Sequence, residues 1–393
     1  MARTYQELLA EARDEIPEVD APALADELSG ADVPIVVDVR EQSEWDEGFI
    51  PGAVHVPRGF LESRIAGVAK RDQRIVVTCA AGARSLLAAQ TLRQMGYTDV
   101  SSLAGGFADW KRRGRPFDVP RRLTDAQRRR YSRHILIPEV GEAGQLKLLG
   151  SKALLIGAGG LGSPAALYLA AAGVGTIGLV DDDVVDESNL QRQIIHTTDR
   201  VGVLKGESAR TAIQALTPDT TVEVQPFRVT KDNVLDLMSR YDIVVDGADN
   251  FPTRYLLNDA ALMTKTPLVH ASILRFEGHA SVFMPYEGPC YRCLFPEPPP
   301  PELAPACGEA GVLGVLCGVM GTIQATEAIK VLLGAGDTLA GRLLVYDALG
   351  MTFTELKLRR DPDCPACGPG ARLEFTDYEA WCSGVGRHVA GAA

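Results

Sequence analysis

The side chains with the clearest chemical purpose are Asn189, Arg192 and Gln193, which lie shortly after an acid, Asp181. An arginine and two amides supply hydrogen-bond donors for phosphate oxygens, and arginine offers them on a planar, permanently charged fork. A site that transfers a hydride to or from a nicotinamide has no use for these donors at that position. The cluster therefore favours a site for a nucleoside triphosphate.

A glycine-rich loop precedes this cluster and joins a predicted strand, residues 153–156, to a predicted helix that runs to Ala172. Its glycines are Gly157, Gly159, Gly160 and Gly162. Glycine lets the backbone approach a phosphate, and the N-terminus of the helix favours negative charge. Asp181 ends the next predicted strand, where a carboxylate in such folds binds ribose hydroxyls. On the loop alone, an NAD dehydrogenase is an equally good interpretation.

Two more charged side chains strengthen the triphosphate hypothesis. Lys205 adds a second cation, and Asp249 follows a predicted strand at residues 243–246, at the edge of a parallel sheet where ligands bind. A carboxylate at that edge is suited to hold a Mg²⁺ ion that bridges phosphates. The alternatives are a solvated surface charge for Lys205 and a turn or helix cap before Phe251 for Asp249.

Four of the eight cysteines form two Cys-x-x-Cys pairs, Cys290 with Cys293 and Cys364 with Cys367. Four thiolates in two such pairs predict a closed, tetrahedral and structural Zn²⁺ site. Such a site would pin the C-terminal end of the chain to the core. A redox role is the weaker alternative, because neither pair follows a strand and opens a helix.

Another cysteine, Cys79, ends a predicted strand at residues 74–79 and precedes a predicted helix at residues 84–95. Backbone amides of such a loop point towards the sulfur and stabilise an anion there, and Arg84 adds positive charge. The alternative is a cysteine that simply packs in the core.

Composition describes an ordinary globular chain of 393 residues, with 46% hydrophobic and 23% charged residues. The net charge of −11 argues against a nucleic-acid partner. Two long apolar stretches, residues 153–180 and 310–324, resemble membrane spans, but glycines and a proline break the first, which predicts a buried parallel unit. No basic-then-apolar signal opens the chain. We expect a cytoplasmic protein without a membrane partner, in a reducing compartment that suits the cysteine spacing.

The alternation of strands and helices predicts an α/β protein of two domains. We expect an N-terminal helix within residues 1–19, a domain at 20–117, a linker at 118–124, a second domain at 125–370 and a tail at 371–393. The first domain is predicted to contain strands at 33–40, 74–79 and 100–103. The second is predicted to open with a basic helix at 125–135 and to contain strands at 153–156, 176–180, 222–226, 243–246, 267–271 and 343–347, with a hairpin at 278–284.

The first domain resembles a single-domain rhodanese. The resemblance lies in Asp38-Val39-Arg40-Glu41, in Trp45, in residues 48–53 (Gly-Phe-Ile-Pro-Gly-Ala) and in residues 103–110 (Leu-Ala-Gly-Gly-Phe-Ala-Asp-Trp). It implies that Cys79 carries a persulfide. The loop from Cys79 to Arg84 is one residue shorter than in rhodanese-like phosphatases, which fits sulfur better than phosphate.

The second domain resembles the ubiquitin-activating superfamily, and within it the bacterial molybdopterin-synthase and thiamine-biosynthesis adenylyltransferases. Beside the motifs above, Arg130-Tyr131-Ser132-Arg133 is similar to the early basic helix of that family. The resemblance implies a Rossmann-like domain with a mixed sheet and a structural zinc site. It also implies a homodimer in which Arg133 reaches the nucleotide of the neighbouring subunit.

The same resemblance implies the remaining roles and the cofactors ATP, Mg²⁺ and Zn²⁺. Asp181 would bind ribose, Asn189, Arg192 and Lys205 would hold phosphates, and Asp249 would serve both the Mg²⁺ and the attacking carboxylate. The implied partner is a ubiquitin-like sulfur-carrier protein that ends in Gly-Gly. Cys307 follows a loop with six prolines at residues 296–305, and in the family this cysteine is linked to thioester or acyl-disulfide chemistry. The alternative is that Cys307 packs as a small hydrophobic residue.

Together the two resemblances imply a fused adenylyltransferase and sulfurtransferase that converts the carrier's terminal carboxylate into a thiocarboxylate. A cysteine desulfurase or thiosulfate would charge Cys79 with sulfur, and the product would serve molybdopterin, thiamine or a related pathway. In many fused relatives the rhodanese domain comes second, whereas here it comes first. The alternatives are activation of a ubiquitin-like protein for conjugation without sulfur, an NAD-dependent oxidoreductase, and an adaptor without activity.

Overall fold

The computed structural model describes residues 3–299 and 311–383. The chain forms two compact units, Met1–Arg122 and Leu123–Ala393. Both are α/β structures in which parallel strands alternate with helices, as predicted.

The first unit is built on a five-stranded parallel sheet with the order β1-β5-β4-β2-β3. The strands are β1 (Glu18–Val19), β2 (Ile35–Asp38), β3 (Val54–His55), β4 (Ile75–Thr78) and β5 (Val100–Leu103). The helices are α1 (Tyr5–Glu15), α2 (Ala21–Leu28), α3 (Gln42–Trp45), α4 (Leu61–Arg64), α5 (Ala83–Gln94) and α6 (Gly106–Arg112).

The sheet of the first unit is buried on both faces. Successive side chains of a strand point to opposite faces, so neighbouring residues of one strand pack in different cores. In β4, Val77 packs in one core with Leu86 of α5, whereas Val76 packs in another with Trp110 of α6. This burial explains why its strands are continuous apolar runs.

The second unit is built on an eight-stranded sheet with the order β13-β12-β11-β10-β9-β6-β7-β8. The strands are β6 (Lys152–Ile156), β7 (Thr176–Val180), β8 (Thr221–Gln225), β9 (Ile243–Asp246), β10 (Leu268–Leu274), β11 (Glu277–Phe283), β12 (Arg342–Asp347) and β13 (Thr352–Lys357). The part from β8 to β10 is parallel, and β10 to β13 pair in antiparallel fashion. The predicted mixed, Rossmann-like sheet is therefore confirmed.

Helices cover both faces of this sheet. They are α7 (Asp125–Arg130), α8 (Ser132–Ile135), α9 (Gly141–Gly150), α10 (Gly162–Ala171), α11 (Lys205–Leu216), α12 (Val234–Met238), α13 (Phe251–Thr264), α14 (Tyr291–Leu294), α15 (Gly314–Leu333) and α16 (Tyr378–Cys382). The parallel strands all end at one edge, and the loops at that edge hold most of the predicted site residues.

Helix α15 is long and apolar enough to cross a membrane, judged by length and composition among the described residues. Here it is a core helix that packs on α10, β10 and β11, with Leu316, Met320 and Ala328 buried. Gln324 donates from its side-chain amide to the carbonyl oxygens of Asp246 (2.7 Å) and Val269 (3.2 Å). The helix is therefore tied to the strands β9 and β10 by polar as well as apolar contacts.

The predicted basic helix at residues 125–135 is wrong in one respect, because α7 and α8 are separate. Tyr131 lies between them with φ −95° and ψ 15°, outside the helical range. Its ring is buried, and its hydroxyl donates to Asp219 at 2.9 Å. This tertiary contact interrupts the helix, and no local sequence signal marks it. The short strand β1 and the exposed edge strand β13 were also not predicted.

Replacing Gly162 with alanine is expected to lower the free energy of unfolding by roughly 1–3 kcal/mol, the usual cost of overpacking. The new Cβ would lie 2.0 Å from the carbonyl oxygen of Gly157, which is backbone and has little freedom to move. Urea denaturation measures the change. Gly318→Ala on α15 is the control, because a Cβ there meets nothing within 4 Å, and it should leave stability unchanged or raise it. Equal unfolding midpoints for Gly162→Ala and the wild type would contradict this packing.

Candidate active site

The glycine loop between β6 and α10 is packed too closely for other residues. Gly157 has φ +92°, in the left-handed region, and a Cβ there would lie 3.2 Å from the carbonyl oxygen of Gly247. A Cβ on Gly160 would lie 2.8 Å from the sulfur of Cys317. Glycine therefore permits the tight strand-to-helix turn, and without a side chain it leaves the backbone accessible from the space above the loop.

A cavity of about 460 Å³ lies above this loop, at the carboxyl ends of β6, β7 and β9. Its volume is that of a small-molecule site, roughly 300–1,000 Å³. The predicted site residues that line it are Gly157, Gly159, Gly160, Asp181, Arg192, Gln193, Lys205 and Asp249. The lining residues that sequence reasoning did not place in the site include Phe227, Arg228, Thr253, Arg254 and Cys317.

Asp181 connects the end of β7 to the glycine loop. One carboxylate oxygen accepts the backbone N–H of Ala158 at 2.8 Å, and the other accepts that of Asp183 at 3.0 Å. Burial raises the pKa of Asp181 above its usual value, and these two hydrogen bonds offset part of the effect. The side chain is thus held in one orientation at the wall of the cavity.

Lys205 opens α11 and is buried, with 7% of its surface exposed. Its Nζ donates to Asp183 at 2.8 Å, and the Asp183 side chain is 68% exposed. The alternative of a solvated surface lysine is therefore wrong. Burying an ammonium group is costly unless a partner compensates it, and Asp183 is that partner in this structure.

The loop after β7 presents Arg192 and Gln193 to the cavity. Arg192 donates from Nη1 of its guanidinium to the carbonyl oxygen of Ser188 at 3.0 Å. Gln193 is 5% exposed, and its Oε1 has no hydrogen-bond partner among the described residues. Buried polar atoms are nearly always paired, and because this atom is an acceptor, the group that would pair with it is a hydrogen-bond donor.

Asn189 is placed differently from its neighbours. Its Oδ1 accepts the backbone N–H of Asp186 at 3.1 Å, within a 3-10 turn at Glu187–Asn189. It is not among the residues that line the cavity. In this structure Asn189 shapes the turn that carries Arg192, and its role towards phosphate stays a prediction.

Asp249 lies at the cavity and is exposed, just after β9. The cap of α13 is Asn250, whose side chain accepts the N–H of Thr253 at 2.9 Å. Asp249 accepts from the side-chain amide of Asn250 at 3.1 Å. The capping role considered for Asp249 therefore belongs to its neighbour, which leaves the Asp249 carboxylate facing the cavity.

Beside Asn189, two described residues that were predicted for the nucleotide site do not line the cavity. Gly162 lies one turn behind the loop, in the first turn of α10. Arg133 is exposed on α8, and it is not among the lining residues. Cys307 lies outside the described residues, 3–299 and 311–383.

His196 supports the glycine loop from behind. It is buried, its Nε2 lies 3.0 Å from the carbonyl oxygen of Ala158, and its Nδ1 lies 2.9 Å from the hydroxyl of Ser208. The carbonyl must accept, so Nε2 carries the proton and Nδ1 accepts from the serine. Burial lowers the pKa of His196 below its usual value and keeps the ring neutral.

The two Cys-x-x-Cys pairs come together in the second unit. All four sulfurs lie within 4.8 Å of one another, with 3.6 Å between Cys290 and Cys364 and 3.4 Å between Cys293 and Cys367. Burial raises the pKa of Cys293 to about 11. Four sulfurs at this spacing are a donor set suited to a tetrahedral metal ion.

An acid in α13 joins this cysteine cluster to the C-terminal segment. Asp259 is fully buried and accepts from Arg292 at 2.9 and 2.7 Å and from the hydroxyl of Tyr378 at 2.7 Å. The guanidinium of Arg292 stacks on Trp381, 4.5 Å from the ring centroid. Arg292 lies between Cys290 and Cys293, so helix α16 is anchored beside the cysteines.

In the first unit, Cys79 lies in the loop between β4 and α5 and is buried. Its sulfur accepts the backbone N–H groups of Gly82 (3.1 Å) and Ser85 (3.3 Å) and lies 3.4 Å from the Ser85 hydroxyl. Gly82, with φ +99°, allows this turn. These donors at a helix N-terminus stabilise negative charge on sulfur.

Arg84 faces an acid in the first unit. Its guanidinium donates twice to Glu44, at 2.7 and 2.6 Å, and this holds the pKa of Glu44 below its usual value. Buried Arg40 pairs with Asp38 at 2.7 Å and donates to the carbonyl oxygens of Gly48 (2.6 Å) and Glu44 (3.0 Å). The Asp38-to-Glu41 motif thus braces the wall next to the cysteine loop.

Acidification is expected to destabilise the protein through His196. The pKa of His196 is lowered in the folded state, while the unfolded chain takes up a proton near pH 6.5. Below that pH the unfolded state binds more protons, so stability falls as the pH drops. The His196→Gln variant should lose about 1 kcal/mol less than the wild type between pH 7.5 and 5.5. Urea denaturation at both pH values tests this, and an equal loss in both proteins would contradict it.

Family comparisons agree with this two-part organisation. The ThiF family model matches residues 131–366, more than half of the chain, and the rhodanese-like domain model matches residues 20–113.

Curated relatives are similar to about two thirds of the chain. The SAMP-activating enzyme E1 of Haloferax volcanii is 54% identical over 66% of this chain and 97% of its own length. The probable adenylyltransferase/sulfurtransferase MoeZ of Mycobacterium tuberculosis is 52% identical over 67% of each. The sulfur carrier protein adenylyltransferase of Thermus thermophilus is 50% identical over 66% of this chain and 98% of its own length.

Solved structures with the same fold include E. coli MccB with ATP. It has 22% identity and a TM-score of 0.53 over 61% of this chain and 74% of MccB, a likeness that concerns the fold alone. The family models and the close relatives carry the assignment further. The chain therefore belongs to the ThiF family, carries a rhodanese-like domain ahead of its ThiF part, and is an adenylyltransferase and sulfurtransferase.

Proposed function

We propose that the protein uses ATP to adenylate the C-terminal glycine of a ubiquitin-like sulfur-carrier protein ending in Gly-Gly, and then transfers sulfur from a persulfide on Cys79. The observation that carries this proposal is the single cavity in which the glycine loop, Asp181, Arg192, Lys205 and Asp249 converge. The names of the Thermus and Mycobacterium relatives support it, since they refer to a sulfur carrier and to sulfur transfer.

In this proposal each charged group has a place along the nucleotide. Asp181, fixed by the N–H of Ala158, accepts from the ribose hydroxyls. Arg192 and Gln193 donate to phosphate oxygens, and the phosphates compete with Asp183 for Lys205. Asn189 supports Arg192 and Gln193 by shaping the turn that precedes them. Asp249 holds a Mg²⁺ ion, which neutralises phosphate charge when it is bound.

The first reaction needs positioning and charge neutralisation more than proton transfer. An oxygen of the carrier's terminal carboxylate bonds to the α-phosphorus of ATP, and the bond from that phosphorus to the β-phosphate oxygen breaks. Pyrophosphate leaves, and an acyl-adenylate remains. Two anions repel each other, so Arg192 and Lys205 promote the reaction by compensating the charge that accumulates between them.

The second reaction uses the sulfur on Cys79. The outer sulfur of the persulfide bonds to the acyl carbon, and AMP leaves. The resulting acyl disulfide is opened when a second thiol attacks the sulfur of Cys79, which releases the carrier thiocarboxylate and leaves a disulfide that a cellular thiol reduces. Cys307 is our candidate for the second thiol. Arg84, paired here with Glu44, keeps positive charge near the persulfide.

The proposal extends to the setting of the enzyme. We place it in the cytoplasm as a homodimer in which exposed Arg133 reaches the neighbouring subunit's nucleotide. A cysteine desulfurase or thiosulfate supplies the sulfur, and molybdenum cofactor or thiamine synthesis consumes the thiocarboxylate. The four clustered cysteines hold a structural Zn²⁺. Conjugation of a ubiquitin-like protein without sulfur is the alternative, and the arranged donors around Cys79 argue against it.

The whole scheme predicts a change in the mass of the carrier. Incubated with a Gly-Gly carrier, ATP, Mg²⁺ and thiosulfate, the protein should replace one oxygen of the carrier by one sulfur, as intact-mass spectrometry detects. Carrier-dependent ATP–pyrophosphate exchange should accompany it, because adenylation precedes sulfur transfer.

The Cys79→Ala variant separates the two halves of the scheme. It should retain the exchange and lose the mass change, because the cysteine acts only after adenylation. An Asp249→Asn variant should lose both. A wild-type protein that adenylates the carrier but never adds sulfur would favour conjugation, and one that does neither would refute the proposal.

The metal proposal predicts that the purified protein contains about one zinc per chain. Cys364→Ser should lose the metal and unfold at a lower temperature, because the ion joins segments on either side of β12 and β13. Elemental analysis and thermal denaturation test this. Cys79→Ser is the control and should keep the metal, and zinc retained in Cys364→Ser would contradict the assignment.

A further inference from the structure

A second cavity of about 300 Å³ lies beside the first in the second unit. Strands β10 and β11 and the helices α13 and α14 form its walls, with apolar contributions from Ile273, Tyr291 and Phe295. Asp249, Arg254 and Ile273 line both cavities. These three residues therefore mark the junction through which a ligand in one cavity meets a ligand in the other.

Arg254 is the unusual member of this junction. It lies in the second turn of α13, is 9% exposed, and donates from Nη2 to the carbonyl oxygen of Ala248 at 3.1 Å. Its guanidinium lies over the ring of Phe251, 5.3 Å from the centroid. The Nε–H has no hydrogen-bond partner among the described residues. A buried guanidinium N–H is rarely left unpaired, so this donor points to an absent acceptor.

The guanidinium of Arg254 is a cation, so an anionic acceptor suits it best. Arg254 is the one arginine or lysine among the described residues that line the second cavity, where Asp249, Glu277 and Glu297 are acidic. His279 lies 2.9 Å from Glu277, and this acid is its ion-pair partner. A carboxylate that enters through the second cavity would be repelled by Glu277 and Glu297, and the buried guanidinium offsets this repulsion.

We propose that Arg254 binds the terminal carboxylate of the carrier through its unpaired Nε–H and holds it at the junction, facing the α-phosphate. The inference rests on the proposed function and assigns this residue a part in it. The planar fork of arginine suits this task, since one N–H keeps the bond to Ala248 while another meets the carboxylate. The second cavity holds the extended residues that precede the carboxylate.

The test compares two forms of one carrier, chosen because it supports ATP–pyrophosphate exchange with the wild-type protein. One form ends in the natural carboxylate and the other in a C-terminal amide, and calorimetry without ATP measures the affinity of each. The wild type should bind the carboxylate form about 10-fold or more tightly than the amide, as for a hydrogen bond to a charged group. The Arg254→Gln variant should bind both forms equally.

A second measurement separates carboxylate binding from support of the Ala248 loop. The affinity of Arg254→Gln for ATP should stay within about 2-fold of the wild type, while its KM for the carrier rises in the exchange assay. Arg240→Gln is the matched control, because Arg240 is an exposed arginine of the same unit, and it should change neither value.

Several outcomes would overturn the inference. A wild-type protein without preference for the carboxylate form rejects it without any variant, even if Arg254→Gln fails to fold. A variant that keeps the preference, or loses ATP affinity as much as carrier affinity, rejects it as well. Absence of carrier-dependent exchange in the wild type refutes the proposed function itself, and the assignment of Arg254 with it.

Discussion

The hydrogen bond from the backbone N–H of Ala158 to the carboxylate of Asp181, 2.8 Å long, is the contact on which the nucleotide site depends. It joins the ends of two neighbouring parallel strands, β6 and β7, at the start of the glycine loop. His196 holds the carbonyl of the same Ala158 from below at 3.0 Å. The loop is therefore fixed through both backbone polar groups of one residue, Ala158. Burial raises the pKa of Asp181, so the fold maintains this carboxylate at a cost in stability.

The two units use the same physical arrangement for different chemistry. In each, a buried parallel strand ends in a glycine-bearing loop that leads into the N-terminus of a helix, where backbone N–H groups favour an anion. In the first unit the amides of Gly82 and Ser85 donate to the sulfur of Cys79. Gly106 lets α6 approach the same loop, since a Cβ there would lie 2.4 Å from the carbonyl oxygen of Cys79. In the second unit a cavity of about 460 Å³ that is lined by Arg192 and Lys205 suits a nucleotide.

Much of the fold and of the site was predictable because its signals are local. Apolar runs ending in Asp181 or Cys79 identify buried parallel strands, and the residues after them lie at the sheet edge by topology. The environment of each side chain was not predictable. Lys205 is buried against Asp183, Asn189 shapes a turn, and the helix cap falls to Asn250. These outcomes depend on partners whose positions are set by the packing of separate elements.

The sequence by itself determined the two α/β units, the glycine loop, the cysteine pairs and the order of the acids and cations along the chain, because periodicity and short motifs carry that information. Only the tertiary structure decided which side chains meet. Arg254 on α13 reaches the junction of two cavities, and Asp259 links the cysteine cluster to Tyr378 across 119 positions of sequence. Such contacts arise when distant segments bury common apolar faces, and no local pattern encodes them.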